Sequence, residues 1–381
     1  MVSDRAYLKG ARVGAGLERL EAEIARIMAV LTRDGAVRVE PPALQPSEVL
    51  LDLYGEDIRA RAFVTRDDAG EMMLRPDFTV PIVEMHMRGG TDAARYAYCG
   101  PVWRRQEAGS ERPREFLQAG VEMFDGADPA KGDAEILQLM VDALGDAPVD
   151  LVTGDMGLVL AAVEGLSTDP ARRAALRRHV WRPERFHDLL ERYGPRKDAV
   201  AEARSGLLAA AAAGGTRDLI AAAGAPVGLR GPDEIAARVV RLAEEATRPP
   251  LDPDEVARLE AVLDVRGPCP EALRRLEDLA RSSPALGPAV AGFARRLDAM
   301  AALGIDVDAL AFEAEFGRTT LEYYDGFVFG AVARGRPDLP PVASGGRYDA
   351  LTRVLGGGRS LPAVGGILRP EALVALIEGA R

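Results

Sequence analysis

The hydrophobic period of this chain changes twice, and that change limits what it can fold into. Before about residue 155, short strand-like runs (Arg95–Gly100, Val102–Gln106, Phe116–Phe124) are interleaved with segments of helical spacing. From 155 to 313 nearly all the periodicity is helical, and Ala, Leu and Arg dominate. Strand chemistry then returns in Leu321–Tyr324, Gly326–Ala333, Ala343–Tyr348 and Leu361–Leu368, before a closing helix over Pro370–Glu378. Strand-rich segments on both sides of a helical one predict a single α+β domain, residues 1–154 with 314–381, interrupted by a mostly helical insertion over 155–313. No fixed period marks the insertion as a repeat array.

Within the first part, Leu17, Leu20, Ile24, Ile27, Met28 and Leu31 fall three or four residues apart, which predicts a helix ending near Gly35. Val37 and Val39 read as a short strand cut off by Pro41 and Pro42, and Ser47–Tyr54 as a short helix. Asp67-Asp68-Ala69-Gly70 is a hairpin turn between two strand pieces. Helices are expected over Thr79–Met87 and Asp133–Leu144, and a loop over Glu107–Pro113. Thr168-Asp169-Pro170 has the form of a helix start, a cap followed by Pro at the first helical position.

Composition narrows the function classes. With 48 Lys and Arg against 59 Asp and Glu, the formal net charge is −11, which disfavours a general nucleic-acid or acidic-membrane binder. The two cysteines, Cys99 and Cys269, form no CxxC pair, and His86, His179 and His187 are scattered, so neither a disulfide scaffold nor a metal site is suggested. No signal core and no run of 18 apolar residues appears, so a cytoplasmic protein outside the membrane is expected. Cys99 reads as a small strand residue rather than a nucleophile.

Three constellations carry chemistry. In Leu74–Thr79, Pro76 fixes a turn and Asp77 and Thr79 offer short acceptors at a helix start; they could grip an ammonium group or be an ordinary cap. In Arg114–Glu122, strand alternation puts Gln118, Gly120 and Glu122 on one face and Leu117, Ala119 and Val121 on the other. A buried face bearing Gln and Glu needs partners, and a bound amino acid would supply them; a solvated strand edge is the alternative. Arg104, across the loop, could take a carboxylate or phosphate. Last, Tyr323 and Tyr324, with Gly345–Asp349, could wall a planar group or be core tyrosines. Gly356–Gly358 lacks the Lys-Ser/Thr of a phosphate loop and is expected to be a turn.

Taken in order, these pieces resemble the catalytic core of class II histidyl-tRNA synthetases. The strand-loop-strand Gly100–Asp125, LRPDFT at 74–79, LEYYDGFVF at 321–329, SGGRYDAL at 344–351 and PAVGGILRPEAL at 362–373 are each similar to a signature of that family. The resemblance covers roughly 15–150 and 316–381; the insertion matches only in position. It implies an antiparallel sheet with flanking helices, and it places the family's histidine contacts on Asp77, Thr79, Arg104, Gln118, Glu122, Tyr323 and Tyr324.

The adenylation parts differ. Where the synthetases have an arginine before their Tyr-Tyr run, this chain has Thr319, and Arg318 beside it would point to the opposite face of a strand. The phosphate-clamping arginine of Gly-Leu-Glu-Arg falls on Ala372 in Arg369-Pro370-Glu371-Ala372, and the purine-contacting acid on Gln106. Losing one phosphate-facing cation typically removes about 3 kcal/mol of transition-state stabilisation. The chain ends at Arg381, so the resemblance also predicts no anticodon-binding domain.

This combination is similar to the regulatory-subunit family of ATP phosphoribosyltransferase, which opens histidine biosynthesis. That resemblance implies a non-catalytic protein without cofactor, metal or tRNA. Its partners would be a short-form catalytic subunit, a second copy of itself through the helix 15–34 and the strand to Pro42, and L-histidine as feedback inhibitor. A divergent amino-acid-activating ligase and a histidine sensor for another partner are the alternatives.

Overall fold

The structure, a computed structural model, describes residues 11–47, 62–68, 70–89, 93–107, 109–110, 112–124, 128–195, 208–209, 211–224, 231–246, 248–318 and 323–379. Twelve strands are formed among them: β1 (Val37–Arg38), β2 (Leu44–Pro46), β3 (Val64–Asp67), β4 (Gly70–Leu74), β5 (Ala94–Trp103), β6 (Glu115–Phe124), β7 (Val149–Asp155), β8 (Arg266–Pro268), β9 (Ala311–Glu313), β10 (Phe327–Ala333), β11 (Ala343–Arg347) and β12 (Ala363–Leu368). Nine of them make one sheet in the order β1-β5-β6-β12-β11-β10-β7-β9-β8, and β2-β4-β3 make a second. The six strands from β5 to β7 are antiparallel; the outer pairings β1 with β5 and β7 with β9 are parallel. The class II-like antiparallel sheet with flanking helices is therefore present, with parallel additions near its edges.

The expected hairpin forms between β3 and β4, pairing Asp67 with Gly70. The two strand pieces expected at 95–100 and 102–106 are one strand, β5, running through Pro101. Proline is tolerated there because β1 reaches only Tyr96 and Ala97, so no neighbour on that side needs a donor at 101. The helix expected from Ser47 onward lies, beyond Ser47 itself, outside the described residues. β7, β8 and β9 were not anticipated; the last two are three residues each, too short to show alternation.

The chain divides into two compact units, Met1–Gly165 with Ala261–Arg381, and Leu166–Glu260. The helical stretch expected over 155–313 is thus not one body. Helices Met156–Glu164, Cys269–Ser282 and Gly287–Ala302 belong to the unit that carries the large sheet, and the last of these packs on the helix Pro129–Leu144.

Four buried charges show why. Arg296, on Gly287–Ala302, donates to Asp155 from Nη1 at 2.8 Å and lies 3.2 Å from Asp133 through Nε. Arg347, at the end of β11, donates to the other oxygen of Asp133 at 2.9 Å. Asp155 also caps the helix that follows it, accepting from the Gly157 amide at 2.7 Å. The smaller unit holds Pro170–His179, capped by Asp169 as expected, with Arg172 pinned between Glu245 and the Pro249 carbonyl.

Candidate functional site

The site is built on one face of β6 and the elements that cover it. Gln118 and Glu122 are both buried on that face, 2% and 1% exposed. Glu122 accepts hydrogen bonds from three hydroxyls: Thr79 at 2.8 Å, Tyr98 at 2.9 Å and Tyr348 at 2.5 Å. Burial pushes its carboxyl up to about 7; the three hydroxyls oppose the shift, and the charge of Asp77 adds to it. Burial and the same carboxylate raise the Tyr98, Tyr348 and Tyr324 phenols, so all three remain protonated donors at neutral pH.

Neighbouring strands make room for this carboxylate. β12 pairs Gly365 directly with Glu122, and a side chain at 365 would collide with the Glu122 carboxyl. Gly120 lies under the Tyr98 ring in the same way. These two glycines serve close approach rather than backbone freedom.

Helix Thr79–Gly89 supplies the covering groups. Asp77 Oδ1 accepts from the Val80 amide at 3.4 Å, so it caps the helix, and its charge also acts on Glu122, Tyr98 and Tyr324. Phe78 stacks on Tyr98 with centroids 4.4 Å apart. Tyr323 and Tyr324 form a wall of edge-packed rings with Tyr348, with centroids 4.8 Å and 6.0 Å from the Tyr323 ring. They are not in a strand as their composition suggested. They precede Asp325, whose carboxylate takes the amides of Asp349 and Ala350 at the start of helix Asp349–Leu355, and this anchor turns the chain. Burial and the Asp349 charge push the Asp325 carboxyl up to about 6.

Arg104 is half-buried, donates from Nε to the Pro76 carbonyl at 3.0 Å, and lies over Phe116. Gln118 Oε1 is buried without a hydrogen-bond partner among the described residues. All seven residues singled out in the sequence therefore fall on or around one buried face. Tyr348, from the Gly345–Asp349 stretch grouped with the tyrosine pair, belongs to it as well, and so do Tyr98 and Arg369, which the sequence does not single out. The signal for Tyr98 was available, since Tyr96, Tyr98 and Gly100 alternate on β5 as Gln118, Gly120 and Glu122 do on β6.

The remaining residues fall elsewhere. Gln106 Nε2 donates to the Pro113 carbonyl and closes the 104–114 loop. Ala372 is buried in the first turn of helix Pro370–Gly379 and offers only a methyl group. Thr319 lies outside the described residues. Arg318 is in a turn after β9, not on a strand: Gly317, with φ +97°, breaks the extended path, and Arg318 is fully buried with Glu315 as ion-pair partner. Cys99 is half-buried, and burial pushes its thiol up to about 11, which leaves it a poor nucleophile. Among the described residues, no group of three or more His, Cys, Asp or Glu side chains is placed to hold a metal ion.

Known proteins share this frame. A profile of the histidyl-tRNA synthetase family matches residues 15–248 and 234–373. An ATP phosphoribosyltransferase regulatory subunit of Allorhizobium ampelinum is 34% identical over 357 residues, covering 87% of this chain and 91% of that one. One of Mesorhizobium japonicum is 32% identical and covers 95% and 99%. This chain belongs to the ATP phosphoribosyltransferase regulatory subunit family. A solved structure from Bacillus halodurans, described as an ATP phosphoribosyltransferase regulatory subunit/histidyl-tRNA synthetase, superposes with a TM-score of 0.67 at 20% identity, over 99% of this chain and 83% of that one. The histidyl-tRNA synthetase of Nostoc sp. PCC 7120 gives 0.62 at 15% identity, over 96% and 72%. The regulatory subunit family thus has a synthetase-like fold, and no described helix of this member is long and apolar enough to cross a membrane.

Proposed function

We propose that this chain activates a short-form ATP phosphoribosyltransferase catalytic subunit in a cytoplasmic hetero-oligomer, and carries feedback inhibition by L-histidine bound over Gln118 and Glu122. On this reading it catalyses no reaction, binds no tRNA and pairs with a second copy of itself. The observation that carries it is the buried carboxylate of Glu122 among three hydroxyl donors, four residues along β6 from a Gln118 oxygen that has no hydrogen-bond partner among the described residues. Such a carboxylate suits a cationic ligand group, and the tyrosines suit a planar one. Ala372 supports the absence of adenylation, because a methyl group cannot compensate phosphate charge. Inhibition then requires that histidine bind the inactive complex more tightly than the active one.

Mixed with a short-form catalytic subunit, the chain is expected to form a hetero-oligomer at micromolar concentration, seen by light scattering, and to raise phosphoribosyl transfer. Alone it is expected to show no histidine-dependent exchange of pyrophosphate into ATP. Failure to associate would refute the partnership; robust exchange would instead support the ligase.

A further inference from the structure

The sheet register brings together two arginines from different strands. In antiparallel pairing, directly opposed residues share a face, and alternate residues return to it. β5 pairs Gly100 with Gln118 and Val102 with Phe116, and the Arg104 amide continues the ladder to the Arg114 carbonyl. Arg104 therefore shares the face of Gln118 and Glu122. β12 pairs Gly365 with Glu122 and Ile367 with Gly120, and one more step sets Arg369 opposite Gln118 on that same face. The Arg369 amide is held by the Val342 carbonyl.

Neither guanidinium has a carboxylate partner among the described residues. Arg104 donates to the Pro76 carbonyl and Arg369 to the Pro341 carbonyl. Burial, and then the charge of Arg104, bring Arg369 down to about 10, while the Tyr324 phenol acts in the other direction. Two cations that repel each other beside a buried ligand face favour an anion bound there. The opposite end of that face is acidic, with Glu122 and Asp77. In the synthetase resemblance the position of Arg369 is a glycine, so this second cation belongs to the present chain.

We infer that Arg369 and Arg104 form a paired clamp for the carboxylate of the bound amino acid, with Arg369 as a specificity-determining residue that selects the free acid. This rests on the amino-acid pocket proposed above. The ligand is gripped as a zwitterion, its ammonium toward Glu122 and Asp77 and its carboxylate between the two guanidinium groups.

Calorimetry with histidine and with histidinol, in which the carboxylate is reduced to an alcohol, tests this within each variant. The full-length wild type is expected to prefer histidine by about a hundredfold or more, and Arg369→Gln to narrow that preference about tenfold, as should Arg104→Gln. Arg369→Lys should keep part of it. A ratio taken within one variant is unaffected by a loss of folded protein, since both ligands lose equally. If Arg369→Gln binds histidine with the wild-type preference, the clamp is refuted and the pocket stands. If the wild type binds neither ligand, the pocket itself is refuted and the clamp with it.

Discussion

Replacing Glu122 by Gln is expected to stabilise the fold at pH 8 relative to pH 4 by about 3 kcal/mol while weakening histidine binding. The carboxyl sits at about 7 in the folded chain against an ordinary 4.5. The folded state therefore holds the proton more tightly than the unfolded one. Stability from this group is fully present below about 4.5 and is lost as pH rises through about 7. Each unit is worth about 1.4 kcal/mol, which gives the figure. Glutamine does not titrate, so the difference between variant and wild type should open over that window. The same change removes a charge-assisted hydrogen bond to the ligand, worth about 1.5–3 kcal/mol, or ten- to a hundredfold in affinity. Denaturant unfolding at both pH values and calorimetry with histidine check the two halves. A stability difference independent of pH would show that Glu122 is not held as a strained carboxyl.

Arg296→Met should cost about 3–5 kcal/mol, because it strips a cation from two buried carboxylates rather than replacing the whole set. Asp133 is already raised by burial, with Arg347 and Arg296 pulling it back. Without Arg296 it rises further, so the variant should lose more stability at pH 7 than at pH 5, where protonation relieves the unpaired charge. Arg296, Asp155 and Asp133 tie helix Gly287–Ala302 to the end of β7 and to helix Pro129–Leu144. The loss is therefore expected in the unit carrying the large sheet. Denaturant midpoints at the two pH values measure it, and a change below about 1 kcal/mol would contradict the role assigned to the cluster.

What the sequence showed and what it hid follow from the range of each signal. Period-two alternation is local, so the Gln118–Glu122 face was legible within β6 alone. A helix start is local too, which made Thr79 and Asp77 visible. Arg369 reaches the same face at the end of β12, more than 200 residues further along the chain, and only inter-strand register places it there. The extent of the insertion was hidden for the same reason. Gly287–Ala302 has an ordinary helical pattern, and what assigns it to the sheet unit is Arg296 finding Asp133 and Asp155. The aromatic pair Tyr323-Tyr324 suggested a strand by composition, but Asp325 bonded to a helix start overrides that preference.

In the proposed function, histidine acts on the transferase through the Glu122 pocket. This is tested most directly by titrating histidine into the assembled complex, with wild-type chain and with Glu122→Gln, while phosphoribosyl transfer is followed. Both complexes are expected to be active, histidine to inhibit the first, and the second to need ten- to a hundredfold more for the same inhibition. Equal inhibition of both at the same concentration would contradict it.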